Sequence, residues 1–331
     1  MRGTRGMRGA GRRVGRGVRL ALAGALAAVL LPVTAGAAGA AGAASAVPAA
    51  GAARTYTVWQ WNVAGNTVHH GSTTDGLVSQ AAASIVNRGV DFAAFNELCQ
   101  GQYDALIVEL RAKGWPQDTA NFARFAPSRP AGNASVCAGD AFGNAVFSER
   151  PLGGAERVAL PDDGSAEKRN LLCAPLTDGT ATRFCTTHIT TDQSFNVAQL
   201  EAVREKLEAY HAAGETVLTA GDFNAQPHYG RLNSYYSASL DVPNNRNNTG
   251  QYRELDDNDA ANCLGYGEWT ADGTPGATPP CGGNAKIDHI FVRESALAGP
   301  YSADSLAIST ACTGVAACSD HRILVGTVTV V

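Results

Sequence analysis

The 331-residue sequence lacks several patterns that would each have assigned it to a familiar class. It contains no Cys-x-x-Cys pair, no internal repeat and no motif of the kind that reads nucleic-acid bases. Its N-terminal apolar run, Leu20 to Val33, is shorter than the roughly 20 residues that a membrane-spanning helix needs, and Pro32 interrupts it. These absences argue against a common zinc site and against a membrane anchor.

The N-terminal segment also lacks acidic residues and is rich in arginine. Its apolar run is followed by Ala- and Gly-rich sequence with small-x-small sites such as Ala44-Ser45-Ala46. This order is typical of a secretory signal peptide, which predicts cleavage after Ala46 and a secreted protein with no stable membrane anchor. Residues 1–46 are then the signal peptide, and residues 47–331 form a single domain. Export could use either the general or the twin-arginine route. The basic segment contains Arg2, Arg5, Arg8, Arg12, Arg13, Arg16 and Arg19.

Processing changes the charge of the chain. The full sequence has 26 Lys and Arg against 30 Asp and Glu, a formal net charge of −4. Loss of the seven signal-peptide arginines leaves 19 basic residues and a net charge of −11. An acidic protein does not bind polyanions by net charge, so a phosphate-ester substrate would require a bound cation to supply local positive charge.

Eight cysteines follow the predicted signal peptide, and this even number favours disulfides in an oxidising compartment. About 105 full pairings are possible, so the connectivity stays open, with a sequential arrangement preferred. A two-residue turn at Asp178-Gly179 would place the sulfurs of Cys173 and Cys185 on opposite faces, so that bridge requires an odd-length loop or a bulge. The preferred pairs are Cys99–Cys137, Cys173–Cys185, Cys263–Cys281 and Cys312–Cys318.

Apolar patterning predicts both helices and strands. Helical spacing extends from a cap at Thr73 or Thr74 to Gly89, from Tyr103 to Gly114, and from Ser194 to Gly214. Helices and strands mix without strict βαβ alternation, which predicts an α/β (α+β) fold, a four-layer sandwich of two packed mixed sheets flanked by helices. The predicted strands are Thr55–Trp61, Val90–Phe95, Asn144–Phe147, Leu171–Leu176, Thr182–Thr187, Thr216–Ala220, Ile287–Val292 and Ile323–Val330.

Polar residues follow or precede several predicted strands, where loops can build a site on a rigid scaffold. Glu97, Asp222 and Asp320 are hard oxygen ligands suited to Mg²⁺, Mn²⁺ or Ca²⁺, and Asn62 and Asn224 add amide groups. A single residue of this kind is more simply a turn former. Their joint occurrence favours a metal site.

Two histidines accompany these ligands. His188 and His321 can move protons near neutral pH, and Asp288 is the candidate that would fix the tautomer of His321. A lone histidine is more often structural, but a metal, a His base and amide donors are together the parts needed for attack of water on a phosphodiester.

The ordered series of motifs resembles the endonuclease/exonuclease/phosphatase family. That family includes pancreatic-type deoxyribonuclease, apurinic endonucleases, bacterial sphingomyelinases and inositol-polyphosphate phosphatases. Gly-Asp-Phe-Asn and Ser-Asp-His are specific when they occur together, and the match covers nearly the whole mature chain. The matching segments are Trp61-Asn62, Asn96-Glu97, Gly143-Asn144-Ala145-Val146-Phe147-Ser148, Thr187-His188, Gly221-Asp222-Phe223-Asn224, Ile287-Asp288-His289-Ile290 and Ser319-Asp320-His321.

The resemblance implies roles for these residues. Glu97 is expected to be the principal ligand of Mg²⁺ or Mn²⁺, helped by Asn62 and Asp320, and His321 the general base paired with Asp288. Asp222 and Asn224 are expected at the reacting centre. His188 would hold or protonate a phosphate oxygen. Arg169 stands where several members have a phosphate-contacting arginine, and Arg322 offers a second local positive charge.

Three departures from the family pattern leave the subfamily open. Asn96 stands where Gln is usual, His289 where Tyr or Phe is common, and Arg322-Ile323 where a nearby Pro is typical. None of them removes a metal ligand or the base, so an active enzyme is expected.

Two further clusters have less certain roles. His69-His70 lies just past Asn62 and could touch substrate, but a solvated loop is favoured. The aspartates at positions 256, 257 and 259 could hold a structural Ca²⁺, but they lack the spacing of a calcium hand, so an exposed acidic loop is favoured.

Three functions remain for comparison. The preferred one is a monomeric, secreted nuclease of low sequence specificity. The second is hydrolysis of a lipid headgroup or a small phosphoester at the same site. It is less favoured because no exposed aromatic hairpin for membrane insertion stands out. The nearest candidate, Tyr235-Tyr236, is only a pair. The third, a binding protein with an inactive site, is disfavoured because the expected ligands and both histidines are present.

Overall fold

Two six-stranded sheets pack against each other through a buried apolar layer. The computed structural model describes residues 52–261, 263–275, 281, 283–308 and 312–331. The predicted signal peptide, residues 1–46, lies outside these described residues. Within them, no helix combines the length and the apolar character required to span a membrane.

The first sheet is mixed, because its two central strands are parallel while the others pair antiparallel. Its strands are β1 (Arg54–Asn62), β2 (Phe92–Cys99), β3 (Ala123–Arg129), β4 (Phe142–Ser148), β13 (Leu297–Leu306) and β14 (Ile323–Val330). They lie in the order β13-β14-β1-β2-β4-β3.

The second sheet is also mixed. Its strands are β5 (Glu156–Ala159), β6 (Asn170–Pro175), β7 (Thr182–His188), β8 (Thr216–Asp222), β9 (Tyr252–Glu254) and β12 (Asp288–Arg293). They lie in the order β5-β6-β7-β8-β12-β9, and only β7 and β8 are parallel. A separate pair consists of β10 (Ala271–Pro275) and β11 (Asn284–Ala285).

Three helices cover the outer faces of the sheets. α1 (Leu77–Asn87) and α2 (Gln100–Ala112) pack on the first sheet, and α3 (Gln193–Ala212) packs on the second. The layers are therefore helix, sheet, sheet and helix, which confirms the predicted sandwich.

Strand periodicity decides which side chains enter the space between the sheets. In β1, Trp59 and Trp61 pack against the helices, whereas Tyr56 and Val58 face the other sheet. Because successive side chains alternate between faces, Asn62 at the end of β1 continues the face of Tyr56 and Val58. Both faces are covered, which explains why the central strands read as nearly continuous apolar runs.

The structure corrects two details of the sequence prediction. α1 begins at Leu77 with Gly76 in a left-handed conformation as its N-cap, not at Thr73 or Thr74. Asp75 satisfies the first turn instead, because its carboxylate accepts a hydrogen bond from the Leu77 backbone. The strands β3, β5, β9, β10, β11 and β13 were not predicted; in β13, half of the residues are exposed at the sheet edge and carry little apolar pattern.

All four preferred disulfides are present. Cys173 and Cys185 are direct cross-strand partners, with Cα atoms 4.1 Å apart. The loop between the paired Leu176 and Thr182 has an odd number of residues, as this bridge requires.

Candidate active site

The ends of several strands meet at one edge of the space between the sheets. Parallel pairing sets Asn62 of β1 beside Asn96 of β2, and His188 of β7 beside Asp222 of β8. The antiparallel strand β12 begins there with Asp288, directly opposite Asp222. Residues that are distant in sequence therefore converge, as the motifs at strand ends predicted.

The Gly-Asp-Phe-Asn turn depends on close backbone packing. A Cβ atom on Gly221 would lie 2.1 Å from the carbonyl oxygen of Thr187, so only glycine allows β8 this approach to β7. Asn224 follows with a positive φ of 46°, and its backbone N–H donates to Asp222 at 2.9 Å. The Asn224 side-chain amide donates to the carbonyl of Ile189 at 2.8 Å, so it ties together the loops after β7 and β8.

His321 forms a close pair with Asp288. Its Nδ1 lies 2.8 Å from the Asp288 carboxylate, whose other oxygen accepts a hydrogen bond from Gln60 at 2.9 Å. Burial, the largest influence, acts to lower the pKa of His321, but the charges of Asp288, Asp222 and Asp320 and the bond to Asp288 raise it to about 10. In return, His321 holds the pKa of Asp288 below its ordinary value despite burial.

Asp222 lies at the centre of the site. Its carboxylate accepts a hydrogen bond from Asn62 at 3.1 Å and lies 3.8 Å from Nε2 of His321. Burial and the nearby charge of Asp288 raise the pKa of Asp222 above its ordinary value. Asp222, Asp288 and His321 form a group of described residues whose potential ligand atoms all lie within 4.8 Å of one another.

His188 also approaches the Asp222 carboxylate. Its Nε2 lies 3.6 Å from the Asp222 carboxylate, and its Nδ1 lies 3.3 Å from Glu167. Burial and Arg169 act to lower the pKa of His188, but Glu167 and Asp222 outweigh them and raise it. Glu167 also accepts a hydrogen bond from Arg169 at 2.8 Å, so Arg169 reaches the site through this carboxylate. The sequence prediction did not include Glu167.

Asn62 joins Glu97 to the same centre. Its amide nitrogen lies 3.2 Å from the Glu97 carboxylate as well as 3.1 Å from Asp222. Glu97 has a positive φ of 57° and lies where the pairing of β2 with β4 shifts register between Phe95 and Leu98. Such an irregularity redirects a side chain and is common beside active sites.

Asn96 connects the two sheets beneath the site. Its amide oxygen accepts hydrogen bonds from Gln60 and from the backbone of Asp222, at 3.0 and 2.9 Å. Its amide nitrogen donates to Asn144 and to the carbonyl of Thr187, at 2.9 and 3.1 Å. The departure from Gln therefore preserves a fully used, buried amide that positions Asp222.

The remaining predicted residues lie at the margin. Asp320 is exposed, and its carboxylate accepts a hydrogen bond from Ser319, whose hydroxyl also lies 2.7 Å from the Asn62 carbonyl oxygen. Arg322 donates to the carbonyl of Ser305 and lies over the Trp269 ring, so its guanidinium is held away from Asp222 by these contacts.

Comparison with known proteins identifies the family of the chain. Residues 59–321 match the Endonuclease/Exonuclease/phosphatase family. The chain belongs to this family. Its members are metal-dependent phosphoester hydrolases, and the chain is therefore an enzyme of that kind. No curated protein matches the hydrolase in sequence.

Several solved structures have the same fold. The human Nocturnin catalytic domain with bound sulfate is 17% identical at a TM-score of 0.59, with 84% of this chain and 95% of that chain covered. D. rerio TDP2 complexed with single strand DNA product is 17% identical at 0.56, covering 83% and 98%. An endonuclease/exonuclease/phosphatase from Beutenbergia cavernae DSM 12333 is 17% identical at 0.54, covering 84% and 72%.

His69 of the hydrolase is buried, so the expectation of a solvated loop is wrong for this residue, whereas His70 is exposed. The His69 ring lies 2.6 Å from the Asp75 carboxylate and 2.6 Å from the carbonyl oxygen of Cys318. It thus links the loop after β1 to the segment that carries His321.

The acidic loop is also different from the expectation. Asp256 and Asp257 are fully buried and pair with Lys286 and Arg253, each at 2.8 Å. Protein cations thus occupy these carboxylates, so they form neither an exposed loop nor an open Ca²⁺ site. The sequence carries no local sign of the pair between Lys286 and Asp256, since the two residues are 30 positions apart.

Proposed function

We propose that the mature chain is a secreted, divalent-metal-dependent phosphodiesterase that cleaves nucleic acid with little sequence preference. The observation that carries the proposal is the convergence of two histidines on Asp222, with Glu97 and Asn62 beside the same carboxylate. Two groups that move protons and a set of hard oxygen ligands are what hydrolysis of a phosphodiester by water requires.

The carboxylates of the site fit a divalent cation. In the described part of the chain, Glu97 accepts a hydrogen bond from Asn62 and pairs with no cationic side chain. The ligand atoms of the site are hard oxygens, so we assign Mg²⁺ or Mn²⁺. Glu97 is the principal ligand, with Asn62 and Asp320 as the others. When bound, the cation polarises the phosphate and offsets the negative charge that raises the pKa of His321.

The two histidines divide the movement of protons. Asp288 accepts a hydrogen bond from Nδ1 of His321, which leaves Nε2 of the neutral ring as the acceptor for a proton of the attacking water. Nδ1 of His188 lies beside Glu167 and its Nε2 beside Asp222, and these two carboxylates raise the pKa of His188 despite burial and Arg169. We therefore assign His188 to hold or protonate a phosphate oxygen.

Nucleic acid is the substrate that the observations favour. Tyr235 and Tyr236, the nearest candidates for a membrane-inserting segment, are fully buried, and the Tyr235 hydroxyl donates to the carbonyl of Leu200 at 2.6 Å. Neither ring is available to a lipid surface. The TDP2 structure was solved with a single strand DNA product, which supports a nucleic acid for this site.

Export is proposed from the N-terminal sequence, and the four disulfides support it. Cleavage after Ala46 would leave residues 47–331 as a monomeric, single-domain enzyme. N-terminal sequencing of the protein recovered outside the cell is expected to give Val47 as the first residue, and a first residue of Met1 would contradict processing.

The substrate is tested with purified mature chain on plasmid DNA and on sphingomyelin vesicles at equal Mg²⁺ concentration. We expect degradation of the plasmid, complete loss of activity in excess chelator, and recovery with Mg²⁺ or Mn²⁺. Rapid hydrolysis of sphingomyelin with the plasmid intact would replace the nuclease proposal by hydrolysis of a lipid headgroup.

A further inference from the structure

Arg231 carries an uncompensated positive charge close to the reacting centre. Its guanidinium donates one long hydrogen bond, 3.4 Å, to the carbonyl of Asn224, and no carboxylate of the described residues pairs with it. Its Nε atom is buried and has no hydrogen-bond partner. Burial lowers the pKa of Arg231, and only Tyr229 opposes this effect. A partly buried guanidinium with unused donors requires an explanation, and an anionic ligand would provide one.

Arg231 forms one wall of a shallow surface groove of about 510 Å³. Its guanidinium lies over the Tyr229 ring, 4.5 Å from the centroid, and the exposed ring of His228 lies beside Tyr229. The first turns of α3 supply Gln193 and Val197, whose side chain is 44% exposed. The groove therefore presents a cation together with aromatic and apolar surface.

The groove adjoins the reacting centre through Asn224. The carbonyl of Asn224 contacts Arg231, its backbone N–H donates to Asp222, and its amide donates to Ile189, the residue after His188. A phosphate bound at Asp222 would therefore lie close to the groove, with only Asn224 between them.

We infer that this groove is a subsite for the nucleotide next to the scissile phosphate, with Arg231 on its phosphate and His228 and Tyr229 beside its base. The inference rests on the proposed function and deepens it, since it assigns a strand of nucleic acid as the substrate. A planar guanidinium binds phosphate through two parallel N–H groups. Aromatic rings stack on bases of any sequence, which agrees with little sequence preference.

The test is binding of fluorescein-labelled octathymidylate to the mature chain, followed by anisotropy in excess chelator across a range of NaCl concentrations. Arg231→Ala is expected to weaken binding about tenfold and to reduce the salt slope by about 0.7, because one phosphate contact on a single strand is lost. Arg231→Lys keeps the charge without the planar fork, so it should keep the slope and lose part of the affinity. Arg54→Ala is the matched control. It removes the same charge at the start of β1, about 26 Å along the strand from Asn62.

Unchanged binding in Arg231→Ala would overturn the subsite, and so would an equal loss of slope in the Ala and Lys variants. Phosphatidylserine vesicles are the second probe, because a lipid headgroup offers the same phosphate without a base. Vesicle binding that depends on Arg231, with octathymidylate binding unaffected, would also overturn it. Hydrolysis of the octamer by the wild type in Mg²⁺ is read separately. Its absence would contradict the proposed function, whereas the chelated binding assay still decides the subsite.

Discussion

Two clusters of buried charge lie side by side in the hydrolase, and they are balanced in different ways. They meet at the start of β12, where Lys286 and Asp288 are two residues apart. The bracing cluster consists of Lys286, Glu254 and Asp256. The reacting cluster consists of Asp222, Asp288 and His321.

The bracing cluster contains its own cation. Nζ of Lys286 lies 2.8 Å from Asp256 and 3.3 Å from Glu254, and all three side chains are inaccessible to solvent. Glu254 also accepts hydrogen bonds from the backbone N–H groups of Ile290 and Asp256, both at 3.1 Å. Burial raises the pKa of Glu254 to about 7. The neighbouring carboxylate of Asp256 adds to this rise, and Lys286 opposes it.

The reacting cluster has no lysine or arginine paired with it in the described residues. Among the described residues, Asp288 pairs with His321, and the second carboxylate, Asp222, lies near two histidines. The excess negative charge raises the pKa values of Asp222 and His321. The protein thus leaves the balancing charge of this cluster to a ligand.

We expect the bracing cluster to serve stability and the reacting cluster to serve catalysis. Removing one partner of a buried ion pair is strongly destabilising. A site that holds like charges together carries strain, so removing one of its two carboxylates need not weaken the fold. Substitution in the reacting cluster should therefore lower catalysis, whereas substitution in the bracing cluster should lower stability alone.

The largest expected effect is on catalysis. His321→Ala is expected to lower kcat by about 10²- to 10⁴-fold, because it removes the group that accepts the proton of water. The midpoint of thermal unfolding in excess chelator should also fall at neutral pH, because the raised pKa of His321 means that its proton stabilises the folded chain. Steady-state rates on bis(4-nitrophenyl) phosphate and a thermal melt measure the two effects.

His211→Ala is the matched control for this variant. His211 lies at the end of α3, near the start of β8, whereas Asp222 lies at the opposite end of that strand. It should leave kcat unchanged. A kcat close to the wild-type value in His321→Ala would remove His321 from the role of general base.

The next effect is on stability. Lys286→Met is expected to lower the free energy of unfolding by about 3–5 kcal/mol, because it leaves Glu254 and Asp256 buried without a cation. Urea denaturation measures the change. Lys206→Met breaks a partly exposed pair with Glu156 and should cost only about 0–1 kcal/mol.

Equal losses in the two lysine variants would show that the bracing cluster is not special. Loss of kcat in Lys286→Met at full stability would place Lys286 in the catalytic machinery and remove the distinction between the clusters.

Much of the reacting cluster could be predicted from the sequence, because its residues occupy fixed places on strands. Asn62, Asp222 and Asp288 each end or begin a strand that is recognisable from its apolar run. Strand periodicity and parallel pairing then bring these side chains to one edge of the core. His188 follows the same rule at the end of β7.

The remaining features depend on contacts that leave no local pattern. Glu167 lies in a loop before β6. Its place in the site follows from its contacts with Arg169 and His188. Lys286 meets Glu254 only after the chain has folded across two loops. Glu167 neutralises Arg169, whereas no carboxylate of the described residues pairs with Arg231. This difference could be predicted only from the positions of the acidic residues, which composition does not give.

The smallest expected effect, a slope in stability with pH, distinguishes the two clusters without a change in the bracing residues. The pKa of His321 is raised from 6.5 to about 10 in the folded chain. Between these values the folded state keeps a proton that the unfolded state has released. The contribution of His321 is therefore fully present below about pH 6.5 and is lost as the pH rises through about 10. The slope is at most about 1.4 kcal/mol per pH unit.

Urea denaturation in excess chelator between about pH 7 and pH 9 measures this slope together with the contribution of His188, whose pKa is also raised. The pKa of Glu254, about 7, lies at the edge of this window. His321→Gln should reduce the fall, because glutamine does not titrate. Saturating Mg²⁺ should flatten it in the wild type, because the cation offsets the charges of Asp222 and Asp320 that hold the proton on His321. A slope as steep in His321→Gln as in the wild type, or one that Mg²⁺ leaves unchanged, would contradict the expectation that the reacting cluster binds a cation.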